Sequence, residues 1–516
     1  MGRLSRCLTL TSLCLLLLTE SDLAVPGVPA QDEVLRAARN YYLRNGGKIL
    51  REYAEFLRLP NVASDPHGLR RNATWIREAL RRRDVAALLV DSEGAPPVVL
   101  GLRLAEEATR TLGLYAHYDG QPVDAMGWKH SPWQAVLYTR PMEEGGVPRD
   151  LPGDGEALDR EWRLYARSAA DDKAPIMAIL AALDALREAG TAPRSNLIFL
   201  FEGEEESGSP DLGRFLERER EMLAADIWLI LDGPVHTTRR PQLVFGVRGI
   251  AVLDITVYGA NRPLHSGHYG NWAPNPAMRL AQLLSSMVDS DGRVTIDGFY
   301  DTTVPLELAA REAAAALGES EDGLRRELGL KAAGNDDASY LDTLLRPSLN
   351  VRGLQAAAVG KAASNVIPAI ATASIDIRLA RGNDPQAMLD LVENHIRKQG
   401  YHIVRGEPTA TERLSHAHLA RIDRGEGYPA AHTALDAPLA LWLRRQVELV
   451  AGAELVLMPT MGGSLPLHLF ECKLGTPIVI VPIVNHDNNQ HAANENLRLA
   501  NLEYGIVLLA NLLAAE

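Results

Sequence analysis

Cysteine is nearly absent. Only three occur in 516 residues, and two of them, Cys7 and Cys14, lie in the first thirty. Without that segment Cys472 stands alone, so no internal disulfide is possible and stability has to come from the core. Aromatic residues are scarce at 5%, and the net charge of −13 comes with no long basic run, which argues against a nucleic-acid partner. There is no Gly-x-Ser-x-Gly elbow of a serine hydrolase, no His-Glu-x-x-His metalloprotease pattern and no phosphate-binding glycine loop. What remains is an ordinary soluble composition, 46% apolar and 23% charged, in a chain too long for one core.

The first thirty residues differ from the rest. Arg3 and Arg6 precede the apolar stretch Leu8 to Leu18, and Val28-Pro29-Ala30 offers a cleavage site. This is a secretory leader layout, too short for a comfortable membrane span. Cleavage removes Arg3, Arg6, Glu20 and Asp22, so the net charge stays at −13. The expectation is a secreted or periplasmic protein with no stable membrane span once residues 1–30 are gone. Asn72-Ala73-Thr74 also fits the glycosylation acceptor pattern.

Apolar runs then alternate with amphipathic stretches. Residues 31–90 read as helical, Val98 to Leu102 and Thr111 to Tyr118 as strands, and Ile176 to Leu186 as a helix. Asn196 to Phe201, Asp226 to Leu231 and Pro477 to Val481 read as buried strands, and Leu502 to Leu513 as a last helix. Strand–helix alternation of this kind predicts an α/β fold, with a mixed, mostly parallel sheet covered by helices. From about 247 the pattern changes to half-buried strands (Leu253, Ile255, Val257; then Ile375, Ile377, Leu379), with a charged helical insert at 303–330. This predicts a small α+β sandwich inserted into the larger domain. Residues 404–432 read as a polar connector. The resulting division is a leader at 1–30, a catalytic domain built from the two segments 31–246 and 429–516, and between them an inserted lid or dimerisation domain at 247–428.

The chemistry gathers at strand ends. Glu202-Gly203-Glu204-Glu205-Glu206 places four carboxylates directly after an apolar run. A solvated acidic loop is the bland reading of that run alone. But His117 and Asp119, Asp171 and Asp172, Asp232, and His486 with His491 also follow predicted strands or loops. If the sheet is parallel, all meet at its carboxyl edge. Imidazoles and carboxylates without cysteine suit zinc, and one carboxylate can bridge two metals. A carboxylate outside the coordination set must then take the proton from water, and Glu205 and Glu206 can divide those jobs.

Five stretches carry a family resemblance: Ala116-His117-Tyr118-Asp119-Gly120-Gln121-Pro122, Ala166-Arg167-Ser168-Ala169-Ala170-Asp171-Asp172-Lys173, Glu202 to Ser209, Leu264-His265-Ser266-Gly267, and His491-Ala492-Ala493-Asn494-Glu495. In that order they resemble the di-zinc metallopeptidases of aminoacylase, acetylornithine deacetylase, carnosinase and glutamate carboxypeptidase. The resemblance implies two zinc ions per subunit, with manganese or cobalt as substitutes. His117 and Asp232 would hold one metal, Glu206 and His491 the other, and Asp171 would bridge them. Asp119 would orient His117, and Glu205 would be the general base. His265 would reach across a homodimer into the partner's site, and Arg378, Gly463 and Ser464 would hold the substrate's carboxylate. Asp232, where other branches carry Glu, looks like the dipeptidase and aminoacylase side. The expected activity is cleavage of a small peptide next to a free carboxylate. An N-acyl-amino-acid deacylase is the alternative, and a non-catalytic metal- or peptide-binding protein the alternative of another class. Glu205 separates the last of these, because a protein that only binds needs no free base.

Overall fold

A computed structural model describes residues 31–317, 321–334, 339–463 and 467–516. The leader expected at 1–30 and the candidate residue Ser464 lie outside the described residues. Among the described residues no helix is long and apolar enough to cross a membrane.

The apolar runs become neighbouring strands. Eight of them form one sheet, in the order Ala86–Ser92, Ala95–Arg103, Asn196–Glu202, Thr111–His117, Ile227–Ile230, Ile478–Ile480, Gln242–Val244, Val456–Met458. The inner four are mutually parallel, while Ala86–Ser92 and Ala95–Arg103 join antiparallel at one edge. Their continuous apolar character follows from burial on both faces. Leu112 and Leu114 of one strand, with Leu197, Phe199 and Phe201 of its neighbour, pack toward the helices Gln31–Leu57, Lys173–Glu188 and Leu499–Ala514. The alternate residues Tyr115, Ile198 and Leu200 face the short helices Leu212–Arg218 and His468–Leu474. Fit is close at the functional edge. A side chain at Gly203 would come within 2.5–2.6 Å of the Tyr118 ring, so only glycine lets the chain turn directly after Glu202.

A second sheet has five strands, in the order Ser348–Gln355, Ile370–Leu379, Gly249–Tyr258, Leu419–Tyr428, His402–Val404. Helices Pro276–Ser285 and Pro385–Lys398 cover one face over a core of its own that includes Leu253, Ile255, Ile375, Ile377 and Val392. Prolines at the first helical positions and side-chain caps from Asn275 and Asp384 start both helices.

Three expectations are corrected. Residues 31–90 are not helical throughout: Gln31–Leu57 and Pro66–Arg81 are helices, but Ala86–Ser92 is an edge strand. The polar connector at 404–432 contains a long strand, Leu419–Tyr428, next to the central strand of the small sheet. Its glycines hid it. Cβ atoms at Gly425 and Gly427 would lie 2.5 and 2.6 Å from atoms of Val252 and Ile250, so close strand approach requires them. Asn72 is fully buried, and its amide donates to the Gly68 and Pro60 carbonyls at 2.8 and 2.9 Å. In the folded protein it is closed to a glycan. The helical insert expected at 303–330 is present but broken into Leu308–Ala316 and Glu321–Glu327, and Ala309, Ala310 and Ala313 pack on the core of the large sheet.

Candidate metal centre

The parallel strands deliver their last residues to one edge. His117 closes Thr111–His117 and is fully buried. Its Nδ1 lies 3.2 Å from Asp119 Oδ1 and its Nε2 2.9 Å from Asp171 Oδ1. Asp119 does two jobs, because its oxygens also accept the backbone N–H groups of Glu205 and Glu206 at 3.2 and 3.1 Å. The turn after Asn196–Glu202 is thereby fixed to the His117 strand end. Asp171 stands at the loop before helix Lys173–Glu188, and its second oxygen is 3.1 Å from His491 Nε2. Glu206 lies 3.4 Å from the same nitrogen and accepts a 2.6 Å hydrogen bond from Gln121.

Two donor groups result. His117, Asp172 and Asp232 offer ligand atoms within 4.8 Å of one another, and so do Asp171, Glu206 and His491. Asp171 touches both, one oxygen toward each histidine. Glu205 belongs to neither group; its carboxylate is 12% exposed and 3.9 Å from His117 Nε2. His486, six residues beyond strand Ile478–Ile480, joins neither.

Electrostatics show what the protein alone leaves unbalanced. Burial, with the negative charges of Asp232, Glu206 and Glu202, pushes Glu205 up to about 9, against the pull of His117. Burial and Asp171 push Glu206 up to about 7 and Asp232 to about 6. Burial would raise Asp171 too, yet hydrogen bonds from His117 and His491 hold it below the usual carboxylate range. His117 is held well above its ordinary value because Asp119 and Asp171 outweigh its burial. Crowded carboxylates of this kind call for a cation. The donor set fits one: nitrogen and oxygen only, no cysteine, and a buried Asp172 Oδ1 that has no hydrogen-bond partner.

The residues of the small sheet lie in different surroundings. His265 ends the short strand Leu264–His265, is exposed, and accepts the Gly267 N–H at 3.1 Å, its ring 4.7 Å from that of His268. Arg378 lies on Ile370–Leu379 and donates to Asp376 at 3.2 Å. Gly463 follows Gly462, whose Cβ position would lie 3.3 Å from Leu344 of helix Tyr340–Leu344. Sequence reasoning left three residues without a role: Asp172, Gln121 and Glu495. Each sits inside a stretch that carries the resemblance, and that was the available signal.

Residues 113–515 match the model of peptidase family M20/M25/M40. The Cys-Gly metallodipeptidase of Saccharomyces cerevisiae is 27% identical over 426 residues, 80% of this chain and 81% of its own. Human Beta-Ala-His dipeptidase is 26% identical over 432 residues, 80% of this chain and 76% of its own. Among solved structures, an M20 family metallo-carboxypeptidase from Sulfolobus solfataricus superposes with a TM-score of 0.71 at 27% identity, covering 90% of this chain and 98% of that one. These relatives correct one expectation. With Cys-Gly metallodipeptidases of three fungi among the relatives matched, the secreted or periplasmic location read from residues 1–30 is withdrawn. The matched span holds both donor groups and the whole small sheet, and on that ground the chain belongs to peptidase family M20/M25/M40, as a metal-dependent peptidase of its dipeptidase and carboxypeptidase branch.

Proposed function

We propose that this chain is a di-zinc dipeptidase that hydrolyses the bond next to a free carboxylate. The observation that carries the reading is Asp171, which presents one oxygen to His117 and the other to His491, at 2.9 and 3.1 Å. A carboxylate shared in this way is what a paired metal site needs between its two halves. In this reading His117 and Asp232 would hold one ion and Glu206 and His491 the other, with Asp171 shared between the two sites. When bound, such ions supply Lewis-acid polarisation of the scissile carbonyl and acidify water.

The chain's own groups do the rest. Asp119 fixes the imidazole of His117 and the Glu205–Glu206 turn together, so ligand and base keep one spacing. Glu205 takes a proton from the attacking water and returns it to the leaving amine, whose C–N bond breaks as the carbonyl is restored. Arg378, Gly463 and Ser464 hold the terminal carboxylate, for which a guanidinium is the natural bidentate partner. His265 is exposed on its own chain, which favours a role in a partner's site within a homodimer. The division into catalytic segments 31–246 and 429–516 and a lid at 247–428 belongs to the same proposal, supported by the two separate hydrophobic cores.

The test is metal content and hydrolysis by the full chain on Cys-Gly, β-Ala-His and matched N-acetyl amino acids, with and without a chelator. About two zinc ions per chain and chelator-sensitive dipeptide cleavage are expected. Faster turnover of the N-acetyl amino acids would replace the reading with a deacylase. Bound metal with no cleavage of either class would replace it with a binding protein.

A further inference from the structure

The loops that carry Asp171 and His491 meet although they are far apart in the chain; Asp171 and Glu495 are 324 residues apart. Glu495 is fully buried where they touch. Its Oε1 accepts the N–H groups of Ala170 and Asp171 at 2.8 and 2.9 Å. Its Oε2 accepts the Ser168 N–H and Arg167 Nη1, both at 2.8 Å. Its backbone carbonyl accepts the Ala166 N–H at 3.1 Å. The segment Ala166–Asp171 is thus wrapped around one residue, four positions after His491. Both loops hold non-glycine residues in left-handed backbone: Ser168 at φ 60°, and Asn489, His491 and Asn494 at 57°, 62° and 60°. Such residues keep that conformation only where their surroundings dictate it. Asn494 also accepts the Lys129 N–H at 2.8 Å, which ties the loop to a third segment.

We propose that Glu495 is a positioning residue that sets the spacing of Asp171 and His491 before any metal binds. The proposal rests on the reading of those two as ligands. The chemistry calls for a carboxylate. Four donors converge, and among side chains only an ionised carboxyl accepts at both ends without presenting a donor of its own. In Glu495→Gln the amide NH₂ would oppose two N–H donors. Glu495→Asp keeps the charge but, one methylene shorter, spans less of the gap.

The test separates the clamp from the metal. Hydrogen exchange on the chelator-stripped full chain, followed through a fragment covering 166–171, should show the Ser168, Ala170 and Asp171 amides as protected as those of strand Asn196–Glu202. In Glu495→Gln the same amides should exchange at least about tenfold faster while helix Lys173–Glu188 stays protected. Zinc affinity, read by competition with a chromophoric chelator, should fall about 10- to 100-fold in Glu495→Gln and less in Glu495→Asp, as for other groups that orient ligands. A glutamate that only stabilises the fold would lower the melting temperature and leave the zinc affinity of the folded protein unchanged; that result overturns the proposal. If Glu495→Gln does not fold, the metal-free wild type still decides, since fast exchange of the three amides there would refute a preformed clamp. If the wild type binds no zinc, the ligand reading fails while the exchange result still judges the clamp.

Discussion

The two sheets treat charge in opposite ways. The large sheet gathers Asp119, Asp171, Asp172, Glu205, Glu206 and Asp232 at one edge, and burial raises Glu205, Glu206 and Asp232 out of the normal carboxylate range. The small sheet spreads much of its charge over solvated surface, where Arg421 meets Asp423 and Arg424 meets Asp390 and Glu393. Charge paired at a surface contributes little and is common. Charge gathered in a core without an answering cation destabilises the fold, and it persists where a ligand neutralises it. The buried set therefore marks the chemistry, and the exposed set does not.

The strongest way to break this contrast is to remove its centre. Asp171→Ala should lose at least one of two zinc ions and activity down to background, read by elemental analysis beside a turnover assay. Retention of both ions would end the bridging assignment. Next in size, Glu205→Gln should keep both metals and lose about 10³-fold in kcat, within the range for a general base. Arg378→Ala asks whether the small sheet is inert. If its guanidinium holds the substrate's carboxylate, KM should rise about 10- to 100-fold, the loss of a hydrogen bond to a charged group, with metal content unchanged. An unchanged KM would leave the small sheet as scaffold only.

A smaller effect tests the buried set without touching a ligand. Glu202 accepts from Tyr115 Oη and from Ser209 Oγ, and burial pushes it up to about 8. The folded carboxyl then keeps its proton at pH values where the unfolded one has lost it. Between the two values the folded state binds more protons, so stability falls as pH rises, by up to about 1.4 kcal/mol per pH unit for this group. Glu202→Gln has no proton to lose and can accept both hydrogen bonds. Urea unfolding at pH 6 and pH 8 should show a smaller drop for the variant than for wild type; equal drops would mean that Glu202 is ionised in the fold.

The same contrast explains what the sequence disclosed. That His117, Glu206 and Asp232 would gather at one edge was legible because each follows or ends an apolar run, and a parallel sheet aligns such ends. The large sheet was legible because strands buried on both faces leave uninterrupted apolar residues. Strand Leu419–Tyr428 was not, because its fit depends on Gly425 and Gly427 lying against Val252 and Ile250, at the opposite end of the small domain's sequence. Glu495 was visible as a letter but not as a clamp, since three of its partners at 167–171 are backbone N–H groups, which no side-chain pattern reveals.

The smallest expected effect is on the solvated face. Arg424 donates to Asp390 at 2.7 Å and to Glu393 at 2.5 Å, and its side chain keeps 29% of its exposure. Two carboxylates sharing one guanidinium form a small network, but water and salt reach it. Arg424→Ala should therefore lower stability by about 0.5–1 kcal/mol at low salt, the upper range for exposed pairs. The Debye length falls to roughly 3 Å at 1 M salt, so the difference should shrink there. Urea unfolding of both proteins at low and high salt measures it. A loss well beyond this range, indifferent to salt, would mean that the small sheet also depends on buried charge, and the contrast between the two sheets would fail.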